Sequence, residues 1–234
     1  MAVDNVSLKV ATGALHAVIG PNGAGKSTFF NLISGFFAPT SGRIVFYGQD
    51  VSGLSATQRV RRGMARTFQI TEIFPELSVA MNLRIAAEAA SGHPMRPWLS
   101  SRNKAAIEGR VEELASQVGL SDKTGRLVGE LSHGDQRAVE MGLALALRPK
   151  LLLLDEPTAG MGDQETEQIA ELMHRLHREQ GLTIVLIEHD MQIVFRLADI
   201  ITVLDRGAML ASGTPAEIAA NEAVQAAYLG KQES

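Results

Sequence analysis

Gly20-Pro21-Asn22-Gly23-Ala24-Gly25-Lys26-Ser27-Thr28 matches the phosphate-binding pattern G-x-x-x-x-G-K-[ST] at every specified position. Its glycines let the backbone turn so that successive N–H groups point at phosphate oxygens, directly before a helix N-terminus. We expect Lys26 to neutralise the β- and γ-phosphates, Ser27 to bind Mg²⁺, and Thr28 to donate to the phosphates nearby. This stretch, called the phosphate loop below, predicts a site for a nucleoside triphosphate; the alternative is a glycine-rich turn that binds no ligand.

The residues around the phosphate loop predict the sheet and helices that such a loop requires. Leu15 to Ile19 is typical of a short buried strand, and Phe29 to Ser34 of a buried helix start. Further along, Leu151 to Leu154 and Thr183 to Ile187 are apolar runs suited to buried parallel strands. The helix predicted between them has one apolar face, formed by Ile169, Leu172, Met173 and Leu176. This order of strand, helix and strand predicts a doubly wound α/β core.

The composition describes a globular chain and excludes several classes of protein. The 234 residues are 45% hydrophobic and 21% charged, enough to bury a large core as one domain or as a domain with a lobe. No apolar run approaches the roughly 18 to 20 residues of a membrane-spanning helix. The N-terminus shows no secretion signal, so we expect the chain to remain in the cytoplasm. With no cysteine, disulfides and thiolate metal sites are excluded.

The charge balance argues against a nucleic-acid partner. A net charge of −4 provides no overall field that would attract DNA or RNA. One local basic patch, Arg59-Val60-Arg61-Arg62, remains. We interpret it as a solvated helix face, because arginines ordinarily stay exposed.

Acidic and imidazole side chains follow the last two predicted core strands. Asp155 and Glu156 come directly after one strand, at the end where open α/β sheets present groups to ligands. Because side chains alternate along a strand, one carboxylate can address a metal ion and the other a water molecule. We assign Asp155 to Mg²⁺ and Glu156 to the attacking water; the alternative is an acidic turn before Pro157. His189 follows the next strand and could reach the γ-phosphate, or be an ordinary surface histidine.

Together with the phosphate loop, further residues follow one another along the chain in the order found in ATP-binding-cassette (ABC) ATPases. The sequence resembles this family over essentially its whole length. The further residues are Gln69 in Arg66-Thr67-Phe68-Gln69, the run Leu131-Ser132-His133-Gly134-Asp135-Gln136, the strand before Asp155-Glu156-Pro157-Thr158, and His189. The Arg66–Gln69 run and three more runs resemble the ATPase subunits of branched-chain amino acid importers, to which importers of urea and short amides are similar. The three additional runs are Ala159-Gly160-Met161, Ile187-Glu188-His189-Asp190-Met191 and Ala227-Tyr228-Leu229-Gly230.

The resemblance implies an architecture and a set of partners. It implies a P-loop nucleotide-binding core over 1–69 and 132–234, with a mostly parallel sheet flanked by helices and an N-terminal antiparallel β part. Residues 70–131 would form a helical subdomain that contacts membrane permease subunits. The implied location is the cytoplasmic face of the inner membrane, as a peripheral protein. An extracytoplasmic solute-binding protein would be an indirect partner.

The resemblance also implies a mechanism that one chain cannot complete. Two ATPase subunits would pair head to tail, with ATP and Mg²⁺ between them, and the second subunit could be a copy or a paralogue. The signature run, Leu131–Gln136, would act in trans on the partner's γ-phosphate. Ser132 and Gly134 would precede a helix over Gln136 to Leu147, whose dipole and free N–H groups would face that phosphate. Glu156 and His189 would be catalytic, and Gln69 would sense both Mg²⁺ and the attacking water.

The chain departs from the usual pattern of the family at several positions. His133 and Asp135 replace a glycine and a glutamine of the signature run, and we expect Asp135 to face away from ATP because a phosphate would repel it. Gly162 stands where many relatives have aspartate. Relatives also carry an upstream aromatic that stacks on adenine, and no such residue is present. Either translation starts further upstream or adenine binding is weakened. The alternative function is a soluble ABC ATPase that acts as a mechanical switch on ribosomes or nucleic acid.

Overall fold

A six-stranded sheet organises the computed structural model, which describes residues 3–67, 73–91 and 101–229. In chain order the strands are β1 (Leu15–Ile19), β2 (Val45–Phe46), β3 (Gln49–Asp50), β4 (Met64–Arg66), β5 (Leu151–Asp155), β6 (Thr183–Ile187), β7 (Ile200–Asp205) and β8 (Ala208–Gly213). The order across the main sheet is β4-β5-β6-β1-β7-β8, in which only the β7–β8 pair is antiparallel. A separate antiparallel pair joins β2 to β3. The predicted mostly parallel α/β sheet is confirmed.

Helices flank the sheet on both faces. They are α1 (Lys26–Ser34), α2 (Ala56–Val60), α3 (Val79–Ala90), α4 (Ser101–Gln117), α5 (His133–Ala146), α6 (Asp163–Arg178), α7 (Met191–Leu197), α8 (Pro215–Ala219) and α9 (Glu222–Leu229). Since side chains alternate along β5, Leu152 and Leu154 pack with one core cluster while Leu151 and Leu153 pack with the other. The first cluster also includes apolar residues of α3, α4 and α5, so these helices share one core with the sheet.

The register of the parallel strands brings the predicted site residues to one edge. Asp155 at the end of β5 pairs with Ile187 at the end of β6, and Val18 near the end of β1 pairs with the same residue. The segments that follow these strands therefore begin side by side. They carry the phosphate loop, Glu156 and His189.

The signature helix begins earlier than the sequence predicts. α5 starts at His133 rather than Gln136, so Gly134 lies within its first turn instead of preceding it. The reason is Ser132, whose hydroxyl accepts a hydrogen bond from the Asp135 N–H at 3.2 Å and caps the helix. The predicted start was therefore wrong by three residues.

Arg59 does not lie on a solvated helix face, which corrects the interpretation of the basic patch. The residue is 1% exposed. Its guanidinium donates to the carbonyl oxygens of Leu32 and Ile33 at 2.5 and 2.6 Å, and to those of Leu54 and Ser52 at 3.1 and 3.0 Å. Burial lowers the pKa of Arg59. The two nearby arginines, Arg61 and Arg62, are exposed as expected. Of the three arginines in the patch, Arg59 is the one that ties α2 to the end of α1.

Substituting Arg59 should therefore destabilise the fold far more than substituting its exposed neighbour. Arg59→Met leaves buried carbonyl groups without their donor, and we expect the free energy of unfolding to fall by about 3 to 5 kcal/mol. Arg61→Met makes the same chemical change in solvent and should shift it by less than about 0.5 kcal/mol. Urea unfolding of both variants measures the difference. Equal effects would contradict the structural role assigned to Arg59.

Candidate active site

The phosphate loop has a backbone that only glycine permits at its first position. Gly20 has a φ of 152°, and a Cβ there would lie 2.1 Å from the Leu204 carbonyl oxygen. At the other end, Gly25 precedes α1 in the left-handed conformation. α1 begins without a side-chain cap and without an acidic residue in its first turn. Its N-terminus therefore suits an anion, and these residues fit a phosphate group.

Lys26 is the first residue of α1 and bends back over the phosphate loop. Its side chain is buried, with 7% of the residue exposed. The ammonium donates to the carbonyl oxygens of Gly20 and Pro21 at 2.7 and 3.2 Å. The charge thus lies at the mouth of the loop, where a polyphosphate chain would meet it. Ser27, the next residue, is exposed.

Asp155 ends β5 and is held by an ion pair. Only 3% of the residue is exposed, and its Oδ2 lies 2.7 Å from the Arg66 guanidinium. Arg66 also donates to Asn31 Oδ1 at 2.6 Å and to Ser34 Oγ at 3.1 Å, both on α1. A buried carboxylate and the hydroxyl of Ser27 are the hard oxygen donors that Mg²⁺ prefers when phosphates complete its shell. The donor chemistry of these residues fits that ion.

Glu156 occupies a strained backbone conformation. Its φ of 49° lies in the left-handed region, which is uncommon for a residue other than glycine. The Glu156 N–H donates to the Ile187 carbonyl at 2.9 Å. From α5, Arg137 donates to the carbonyl oxygens of Asp155, Glu156 and Pro157, each at 3.2 Å. We call Asp155–Thr158 the catalytic turn, because it carries Glu156, the predicted catalytic residue.

The catalytic turn brings Glu156 to His189. The His189 Nε2 atom lies 2.7 Å from Glu156 Oε1, and the side chains are 45% and 23% exposed. These two residues are thus brought together at the solvent-facing edge of the sheet, beyond the ends of β5 and β6. A partly exposed carboxylate can accept a proton from a water molecule, and its imidazole neighbour can donate to an anion.

The signature run contains exposed residues and a buried carboxylate. Ser132 and His133 are exposed, whereas Asp135 is 5% exposed. The Asp135 carboxylate lies 2.7 Å from the Lys123 ammonium, and its other oxygen accepts from Gln168 at 3.0 Å. Its negative charge is therefore balanced within the chain.

Two N–H groups of the signature helix already have acceptors inside the chain. The Gly134 N–H donates to Glu165 Oε1 at 3.3 Å, and the Asp135 N–H to the Ser132 hydroxyl. The expectation that such groups are free is thus wrong for these two positions, because capping by Ser132 and the approach of α6 satisfy them.

Within the part of the chain that the structure describes, sequence reasoning gave no role to Arg66, Arg137 or Glu188, although all three contact the catalytic turn. Glu188 is a buried acidic residue at the end of an apolar strand, and its position beside His189 was a signal that could have singled it out. Arg137 follows the signature run directly, but nothing in the sequence indicates that it reaches the turn. Gln69 lies outside the described residues.

Comparison with known proteins decides the family. The model of the ABC transporter family matches residues 3–159. The chain belongs to this family. It is an ABC-type ATPase and binds nucleotide. A second model, described as branched-chain amino acid ATP-binding cassette transporter, matches residues 208–234.

Individual relatives cover nearly all of this ABC ATPase. It is 38% identical over 237 residues to the high-affinity branched-chain amino acid transport ATP-binding protein BraF of Pseudomonas aeruginosa, covering 99% of this chain and 92% of the relative. Identity and coverage are the same for LivG of Escherichia coli, which carries the same description. Among solved structures, an ABC transporter cassette in its ADP conformation has a TM-score of 0.85 at 30% identity, covering 98% of this chain and 93% of the other. A nucleotide-free cassette has a TM-score of 0.82 at 31% identity, with the same coverage.

Neutralising Asp135 should destabilise the fold without strongly increasing the rate of ATP hydrolysis. Asp135→Asn loses the ion pair with Lys123, and we expect the free energy of unfolding to fall by about 1.5 to 3 kcal/mol, the range for hydrogen bonds to charged groups. Steady-state ATP hydrolysis should rise by much less than tenfold, because the carboxylate is already neutralised by Lys123. Asp122→Asn, at the exposed neighbour of Lys123, serves as the control. A tenfold or greater increase in activity would mean that the carboxylate repels the nucleotide.

Proposed function

We propose that this chain is the ATP-hydrolysing subunit of an importer that takes up branched-chain amino acids or a related small polar solute through separate permease subunits. The observation that carries the chemistry is the 2.7 Å contact between Glu156 and His189, beside the phosphate loop and Asp155. The substrate class rests on BraF and LivG, whose names describe branched-chain amino acid transport. The match of residues 208–234 to the branched-chain model supports the same class.

ATP and Mg²⁺ are the proposed ligands of the site. The phosphate loop, residues 20–28, would surround the phosphates with N–H groups, while Lys26 would exchange its carbonyl contacts for the β- and γ-phosphate oxygens. Ser27 and Asp155 would hold Mg²⁺, with Gln69 as a further ligand. Bound there, the ion would supply positive charge to the phosphates. Arg66 already holds the Asp155 carboxylate in place for this role.

Hydrolysis would proceed by attack of water on the γ-phosphorus. Glu156 would orient this water and take its proton as the new P–O bond forms and the bond to the β-γ bridging oxygen breaks. His189, whose ring lies against Glu156, would donate to the γ-phosphate. Gln69 would sense the metal and the water. The products are ADP and inorganic phosphate.

A second ABC ATPase subunit would complete the site. The exposed Ser132 and His133 at the start of α5 are available to another chain, and the signature run, Leu131–Gln136, would meet the partner's γ-phosphate. The helix dipole and the Ser132 hydroxyl would then provide most of this contact, since the Gly134 and Asp135 N–H groups have acceptors within the chain. The second subunit would be a copy of this chain or a paralogue.

Permease subunits would dock beside the helical subdomain. We propose a nucleotide-binding core over 1–69 and 132–234 and a helical subdomain over 70–131. A small cavity of about 180 Å³ lies between β4, α2 and α5, and Phe36, at its rim, is 50% exposed. Leu147, which also lines it, is 39% exposed, and Phe74 in the proposed subdomain is 48% exposed. Exposed apolar side chains of this kind would suit contact with an apolar helix or loop of a permease.

The proposed location is the cytoplasmic face of the inner membrane. Among residues 3–67, 73–91 and 101–229, no helix is both long and apolar enough to cross a bilayer. In this proposal the permease subunits attach the chain to the membrane, and an extracytoplasmic solute-binding protein is reached through them.

Co-purification with a hydrolysis-deficient variant tests this function. Glu156→Gln removes the proposed base, so ATP turnover should fall at least about 100-fold while the ATP-bound complex accumulates. We would express the tagged variant in its native cell and solubilise membranes gently with ATP and Mg²⁺. Polytopic permeases and a second cassette should be recovered. Glu171→Gln, at an exposed position of α6, is the matched control for turnover.

Two results would contradict the proposal. Unchanged turnover in Glu156→Gln would remove the assigned base. Recovery of soluble complexes, ribosomes or nucleic acid without permeases would favour the soluble ABC ATPase that acts as a mechanical switch.

A further inference from the structure

We propose that Glu188 is a positioning residue that fixes His189 and the catalytic turn relative to each other. The inference rests on the proposed roles of Glu156 and His189 in hydrolysis. It adds a residue that would touch neither nucleotide nor water. Its carboxylate would instead hold the two segments that carry the reacting side chains.

Glu188 lies between those segments. It directly follows β6, and the pairing of Asp155 with Ile187 sets it beside Glu156 across the two strands. The residue is only 3% exposed. A carboxylate so buried is costly unless hydrogen bonds compensate for the lost water.

Each oxygen of the Glu188 carboxylate serves a different segment. Oε1 accepts from the Thr158 N–H at 3.0 Å and from the Thr158 hydroxyl, at the end of the catalytic turn. Oε2 accepts from the His189 N–H at 2.7 Å and, more weakly, from the Asp190 N–H at 3.5 Å. One rigid planar group therefore connects the backbone on both sides of the Glu156–His189 contact.

A carboxylate suits this arrangement at both oxygens. Each oxygen accepts from at least one backbone N–H, so both terminal side-chain atoms of residue 188 must accept. In Glu188→Gln the amide oxygen can face only one segment, and the NH₂ group then faces an N–H of the other. The substitution preserves size and shape but breaks the connection on one side.

The connection matters because the catalytic turn is strained. Glu156 keeps its left-handed backbone only if the surroundings hold it there. Arg137 binds the carbonyl oxygens of the turn, and Glu188 binds the N–H and hydroxyl of its last residue. Without Glu188, His189 would lose the anchor on its own N–H as well. Its half-exposed ring would then no longer be directed at Glu156.

Kinetics separate this positioning role from a general loss of structure. In Glu188→Gln we expect kcat for ATP hydrolysis to fall about 20- to 100-fold, as misplacement of catalytic groups typically does. KM and the equilibrium affinity for Mg-ATP should stay within about threefold, because the phosphate loop is untouched. A merely structural effect would lower the active fraction or the affinity together with the rate.

The chain offers a matched control at α8. Glu217 accepts from the N–H and hydroxyl of Thr214 at 2.7 and 2.9 Å, the same pair of donors that Thr158 offers to Glu188. Glu217→Gln therefore makes the same chemical change at a Glu–Thr pair of a helix cap. It should leave kcat within about twofold, like other surface substitutions.

A spectroscopic readout makes the test independent of turnover. In the full-length chain labelled with ¹⁵N-histidine, Glu156→Gln should move the His189 ring resonances, because the two side chains are in contact. In a Glu188→Gln background the same substitution should move them much less. If Glu188→Gln does not fold, Thr158→Val replaces it; this variant removes the hydroxyl bond and should lower kcat about threefold to tenfold at constant KM.

The outcomes distinguish this inference from the proposed function. In one outcome, Glu156→Gln abolishes turnover, but Glu188→Gln, or Thr158→Val in its place, retains the wild-type kcat. This outcome would refute the positioning role of Glu188 and leave the proposed function standing. An undiminished response of the His189 ring to Glu156→Gln in the Glu188→Gln background would refute the positioning role too. If Glu156→Gln leaves ATP turnover intact, the proposed catalytic role of Glu156 is refuted. The positioning role of Glu188 is then refuted with it, because it depends on that catalytic role.

Discussion

The left-handed backbone at Glu156 is the constraint on which the rest of the site depends. It ends β5 abruptly, directs the Glu156 side chain towards His189 and exposes carbonyl oxygens to Arg137. Such a conformation costs on the order of 1 to 3 kcal/mol in a residue with a side chain. The structure offsets this cost with donors and acceptors of complementary kind. Arg137 supplies donors to the carbonyl groups, and Glu188 supplies acceptors to the N–H and hydroxyl groups.

Helix α5 gives the site its second organising feature. Its first residue, His133, and the capping residue, Ser132, are exposed, and one turn later Arg137 reaches the catalytic turn of the same chain. In the proposed dimer, the partner's nucleotide would contact the start of this helix. A shift of the helix could then reach the carbonyl groups around Glu156. The ion pair of Asp135 and Lys123 ties the same helix to the segment that precedes it.

Sequence alone predicted the sheet and several of the side chains that lie at its edge, for reasons that can be named. Parallel strands buried on both faces must be continuously apolar, so Leu151 to Leu154 and Thr183 to Ile187 were recognisable. Since ligands meet such sheets at the carboxyl ends of strands, position singled out Asp155 and Glu156, and the resemblance to ABC ATPases singled out His189. The start of α5 at His133 was not predicted, although the sequence carries a signal for it. Ser132 stands three residues before Asp135, which is the spacing of a capping motif. The burial of Arg59 was not predictable, because it depends on carbonyl groups that only the tertiary fold brings together, and the contacts of Arg137 and Glu188 escaped prediction for the same reason.

The central claim is that contacts within the chain, from Arg137 and Glu188, hold the left-handed backbone of the catalytic turn. High-resolution crystal structures of the chain without nucleotide and with Mg²⁺ and a non-hydrolysable ATP analogue test it most directly. The account predicts that Glu156 keeps a positive φ in both structures, with the Arg137 and Glu188 contacts to the turn unchanged. A right-handed or extended Glu156 backbone in the nucleotide-free crystal would contradict it and show that ATP creates the turn.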